Sequence, residues 1–153
     1  MPSPPEADRI PVLAVINTSE EITRLLEAVF QAEGFKVVSG YTLEIKEGTL
    51  DFAAFVGEHR PDAVLWDIAI PYEANWALFQ QIAGSPAGQR CRFVLTTTNR
   101  DALQGLVGEV PVLEIVGKPY DLDALVCAVR RAIETGESAA PPEPSSVRGH
   151  HQA

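Results

Sequence analysis

"AVLWDIAIP", residues 63–71, runs apolar through Val64, Leu65 and Trp66, meets a single carboxylate at Asp67, and turns apolar again before Pro71. A short, continuous apolar run of this kind reads as a strand buried on both faces, the pattern of parallel sheets. Asp at its exit has two readings. Its side chain bonds nearby backbone N–H groups, so it opens turns well. A lone acid at the end of a buried strand is also placed for chemistry.

Outward from this run, short apolar stretches alternate with helix-period segments. "PVLAVI" (11–16) precedes a helical stretch at 19–33, "FKVVSGY" (35–41) one at about 50–59, and "AVLWD" (63–67) one at about 74–83. "RFVLTT" (92–97) is followed by about 100–107, and "PVLEIV" (111–116) by 121–134. Five strand–helix pairs predict an α/β fold, a parallel sheet covered on both faces, because parallel strands need crossovers that are usually helical. The first helix carries Ile22, Leu25, Leu26, Val29 and Phe30 on one face, with Gly34 placed to end it. The last carries Leu122, Leu125, Val126, Val129 and Ile133, with Asp121 as an N-cap after Pro119. "TLEIKEGTLD" (42–51) fits neither pattern and is expected to be a long loop, since such connections usually take about 2–6 residues. It reads as either a recognition element or a surface insertion.

The 153 residues suit one domain at 10–134, given typical domains of roughly 100–200 residues. Residues 1–9 and 135–153 are rich in Pro, Ser, Ala and Gly and are expected to be disordered tails, where His150 and His151 take no role. No apolar run approaches the roughly 20 residues that span a bilayer, and "MPSPPEADRI" has no signal-peptide core, so the cytoplasm is the expected location. A formal charge of −9 disfavours nucleic acid, whose phosphates need Lys and Arg, and favours a protein partner or small ligand. Cys91 and Cys127 lack metal or redox spacing and read as buried free thiols.

Ligands of open parallel sheets collect beyond the carboxyl ends of the strands. There the sequence places Asn17, Thr18 and Ser19 after the first strand, Asp67 after the third, Thr96, Thr97 and Thr98 at the fourth, and Lys118 after the fifth. A carboxylate, hydroxyls and an ammonium suit a phosphoryl group, with Asp as nucleophile and Lys as a point-charge partner. "INTSEE" has no glycine, which excludes a dinucleotide or P-loop site at the first turn. With no second carboxylate, site histidine or cofactor loop, an enzyme is not expected.

With these residues in place, about 11–134 resembles the receiver domain of bacterial two-component response regulators. "RPDAVLWDIAIP" (60–71) is similar to the family's phosphoacceptor strand, "VLTTT" lies where its switch Thr or Ser does, and "GKPYDLDAL" (117–125) is similar to its Lys-Pro-aromatic segment. The resemblance implies a flavodoxin-like (βα)5 fold with strand order 2-1-3-4-5. It implies that Asp67 accepts a phosphoryl group from a histidine kinase or phosphotransfer protein. Thr96, or Thr97 after a one-residue slip, would bond it and Lys118 would pair with it, across a cis Lys118–Pro119 peptide. The chain would signal to a downstream protein partner, with no attached output domain.

Three departures stand against the resemblance. The family's adjacent acids, which hold Mg²⁺ with the phosphoacceptor, are Asn17 and Thr18 here, so Asp67 and Asn17 would hold Mg²⁺ weakly, with Glu20 or Glu21 reaching through water. Thr18 reads better as the start of a Thr18-Ser19-Glu20-Glu21 capping box. Ile115 stands where an aromatic reporter usually lies, and a Thr follows the switch hydroxyl in place of a small residue. These departures favour the alternative reading, a phosphorylation-independent pseudo-receiver that binds proteins. In either reading Tyr72 and Trp76, just after the Asp67 loop, are candidates for the partner-binding surface, although Trp76 is the better fit to packing under its helix.

Overall fold

A computed structural model describes residues 9–97, 99–108, 113–114 and 119–135. The elements follow the expected alternation: β1 Val12–Asn17, α1 Glu20–Ala32, β2 Lys36–Tyr41, α2 Thr42–Glu47, α3 Phe52–His59, β3 Ala63–Asp67, α4 Tyr72–Gly84, β4 Phe93–Thr97, α5 Arg100–Val107, β5 Leu113–Glu114 and α6 Pro119–Thr135. The sheet is parallel with order β2-β1-β3-β4-β5. Of the expected tails, residues 1–8 and 136–153 lie outside the described residues. Arg9 does not belong with them: its guanidinium grips Asp62 through two bonds of 2.7 and 3.1 Å. No helix among the described residues is long and apolar enough to cross a membrane.

Side-chain alternation along the strands divides the core into two layers. Leu13, Val15, Ala63, Leu65 and Val94 face α1 and α6, meeting Leu26, Phe30, Leu125, Val126 and Val129. Ala14, Ile16, Val64, Trp66, Phe93 and Leu95 face the opposite layer, where Phe52, Val56, Trp76, Phe79, Leu103 and Val107 of α3, α4 and α5 cover them. Trp76 therefore belongs to the core, stacked on Phe79 at 5.6 Å. Leu25 alone of the α1 stripe is exposed.

Residues 42–51 are a correction to the expected loop. Thr42–Glu47 form α2, because the Glu44 carboxylate turns back to accept the Tyr41 N–H at 3.0 Å and Gly48, at φ 81°, supplies the left-handed residue that ends the turn. Ile45 then packs on the core. Two expected caps do not stand where the sequence puts them. Ser19, not Thr18, caps α1 through its Oγ, which accepts the Ile22 N–H at 3.2 Å. Asp121 lies inside α6, which begins at Pro119. The cysteines are free as expected but not buried as expected: Cys91 is half-buried and Cys127 exposed, on the side of α6 away from Val126 and Val129.

Between α4 and β4 a single 3-10 turn, Gly88–Arg90, passes so close to the end of α4 that a Cβ on Gly88 would lie 1.9 Å from the Ile82 carbonyl oxygen and 2.8 Å from Ala83 Cα. Those atoms are backbone and cannot swing aside. Gly88→Ala is expected to cost about 2 kcal/mol, the range of overpacking, read as a lower urea midpoint at unchanged slope.

Candidate functional site

Alternation also decides what gathers at the carboxyl rim. Asn17, Asp67 and Thr96 continue the series that faces α1 and α6, and β3–β4 pairing sets Asp67 directly opposite Thr96. The Thr96 hydroxyl donates to Asp67 Oδ1 at 2.7 Å, both residues buried. Thr97 points to the other layer. Its hydroxyl donates to the Ile68 carbonyl at 2.9 Å and accepts the Asn99 N–H at 3.3 Å. Of the two threonines the sequence leaves open, Thr96 is the one that touches the carboxylate.

Asp67 keeps 6 % of its surface exposed. Burial disfavours the charged form and pushes its carboxyl up to about 6, against the Thr96 hydrogen bond, which pulls it down. The result is a thinly solvated carboxylate that remains mostly ionised at neutral pH.

Asn17 departs from its expected role. Its Oδ1 accepts the N–H groups of both Thr18 and Ser19, at 2.8 and 2.9 Å, so both lone pairs are spent on turning the chain into α1. Glu20, a candidate to reach a cation through water, is instead paired with Arg24 at 2.5 Å. No cluster of three or more His, Cys, Asp or Glu able to hold a metal occurs among the described residues. These donors do not form a protein cage for Mg²⁺; they leave it one carboxylate and water.

The segment leaving Asp67 is fastened residue by residue. The Ile68 N–H donates to the Thr96 carbonyl at 2.8 Å. The Asn75 side-chain amide, from the first turn of α4, donates to the Ala69 carbonyl at 2.7 Å. Ile70, 75 % exposed, follows on the rim, joined to Pro71 by a cis peptide. Sequence reasoning missed Asn75. The available clue was an Asn next to Trp76 at a helix start, where Asn side chains reach back to local backbone. Thr98, Ile115 and Lys118, and with Lys118 the expected cis Lys118–Pro119 bond, lie outside the described residues.

No protein-family model matches the sequence, and no curated protein matches it. Solved structures match the fold. The chemotaxis response regulator CheY4 of Vibrio cholerae aligns with TM-score 0.58 and 15% identity, over 79% of this chain and 99% of that one. A response regulator receiver modulated diguanylate cyclase from Pelobacter carbinolicus aligns with TM-score 0.57 and 15% identity, over 82% and 97%. The receiver domain of a sensor histidine kinase from Pseudomonas aeruginosa, with magnesium coordinated in its active-site cleft, aligns with TM-score 0.58 and 17% identity, over 82% and 99%. At such identities the likeness is one of fold: the chain has the receiver-domain fold.

Proposed function

We propose that this chain, folded as a receiver domain, is a non-enzymatic signalling module of two-component type, acting in the cytoplasm, that accepts a phosphoryl group on Asp67 and signals through protein contacts. The observation that carries the reading is the 2.7 Å bond between the Thr96 hydroxyl and Asp67 at the joint exit of β3 and β4. The donor would be a histidine kinase or phosphotransfer protein and the receiver of the signal a separate protein. The response regulator and kinase receiver domain among the fold's neighbours support that setting.

The chemistry follows from the chain's own groups. An Asp67 carboxylate oxygen attacks phosphorus, forming an O–P bond while the donor's N–P bond breaks and the leaving imidazole nitrogen takes up a proton. Burial leaves the attacking oxygen few waters to shed. Thr96, already bonded to Oδ1, can turn its O–H to the incoming phosphoryl oxygens, and Lys118 is proposed as their cationic partner. A magnesium ion would supply further neutralisation of charge; with Asn17 committed to α1, no step here is assigned to it.

A phosphorylation-independent protein-binding module is the second reading, favoured by the spent Asn17 oxygen. The test is incubation with acetyl phosphate or a histidine kinase, with and without Mg²⁺, read by intact mass. One phosphoryl group on the parent and none on Asp67→Asn is the expected result. A parent that stays unmodified under every condition leaves the second reading.

A further inference from the structure

We infer that Asn75 is a positioning residue: its buried side-chain amide fixes the backbone that leaves Asp67 and so aims the carboxylate. The inference rests on the reading of Asp67 as the acceptor.

Asn75 is 2 % exposed, and its Nδ2 donates to the Ala69 carbonyl at 2.7 Å. Its Oδ1, equally buried, has no hydrogen-bond partner. A buried acceptor left without a donor is destabilising, so an apolar side chain would suit this place in the core better. Trp76 and Phe79, its neighbours on α4, are core residues. A fold that keeps an amide here keeps it for the half that is bonded.

That half acts on the four-residue link between β3 and α4. Ile68 is fixed on both sides, its N–H on the Thr96 carbonyl and its own carbonyl under the Thr97 hydroxyl. Asn75 fixes the next carbonyl. With two successive carbonyls held in direction, the peptides after Asp67 cannot rotate, and the Asp67 Cα–Cβ vector is set relative to Thr96. Without the Asn75 amide, the half-buried Ala69 carbonyl would have to turn towards water and carry the loop with it.

The test compares Asn75→Leu, which removes the donor and the orphaned acceptor together, with Asn75→Ser, which retains a donor. Asn75→Leu is expected to fold with near-parental thermal stability. Its maximal rate of acetyl-phosphate-driven phosphorylation should fall roughly 10-fold or more, as for a misaligned nucleophile, with the half-saturating donor concentration unchanged. Amide exchange should lose protection at Ile68 while Ile16, in β1, keeps it. Asn75→Ser should recover part of both.

A parental rate in Asn75→Leu overturns the inference, and so does a loss of protection spread evenly over Ile68 and Ile16, which is what a merely structural role gives. Should Asn75→Leu fail to fold, the rate and exchange of Asn75→Ala, which also lacks the donor, decide, parental values of both overturning the inference. If the parent itself takes up no phosphoryl group, the proposed function fails separately. Unchanged Ile68 protection in Asn75→Leu would then overturn the inference by itself.

Discussion

Trp66→Ala is expected to lose about 4 kcal/mol, within the range of buried Trp truncations. Trp66 is fully buried on β3, one residue before Asp67, and meets Phe79 at 5.5 Å, Phe52 at 5.9 Å and Phe93 at 6.2 Å, all edge-on. Each such pair adds about 0.5–1.5 kcal/mol beyond the area buried, and truncation ends all three. The cavity would sit between a central strand, α3 and α4, where the backbone has little freedom to collapse. Trp66 also carries a buried indole N–H with no partner. Trp66→Phe removes that orphan along with part of the ring, so its cost should stay near 1 kcal/mol. Urea unfolding of the two variants checks the contrast. Similar losses in both would mean that the ring volume retained by Phe contributes little and would overturn the packing account.

The second large effect depends on pH, and its sign is opposite to that of a salt-bridged acid. Asp67 rises from an ordinary value of 3.8 to about 6 on folding, because burial penalises its charge. Below 3.8 it is protonated in both states and neutral to stability. Between 3.8 and about 6 the native state binds the extra proton, so stability falls as pH rises. Above about 6 the whole cost is present, on the order of 3 kcal/mol for a shift of this size. Asp67→Asn, neutral throughout and still able to accept from Thr96, should gain up to that amount at pH 7 and lose this limb of the profile. Denaturation midpoints of both proteins at pH 4.5 and 7 test it: a difference that does not grow with pH would mean the carboxylate is stabilised by its surroundings.

The sheet was legible because parallel strands buried on both faces read as unbroken apolar runs, and "VLAVIN" at β1 and "AVLWD" at β3 leave few alternatives. Asp67 and Thr96 were legible as a pair for the same reason, since both end such runs and register does the rest. The order of Thr96 and Thr97 was not, because a one-residue slip exchanges the two faces and no single sequence fixes it. The helix at Thr42–Glu47 was hidden by its charges: its amphipathic content amounts to Ile45, and what makes it a helix is a side-chain bond from Glu44 and the freedom of Gly48. Asn17 was legible as a departure, but its bonds were not, because its amide oxygen accepts two N–H groups that only the folded turn presents.

The two threonines that end β4 stand on opposite sides of the sheet yet hold neighbouring points of one segment, Thr96 the Asp67 side chain and Thr97 the Ile68 carbonyl. A displacement of that segment cannot be absorbed on one side alone. The side chains of the same two residues lie against different layers, Thr96 on the side of α1 and α6 and Thr97 on the side of α3, α4 and α5. The rim of β4 thus ties both halves of the core to the one segment that leaves Asp67.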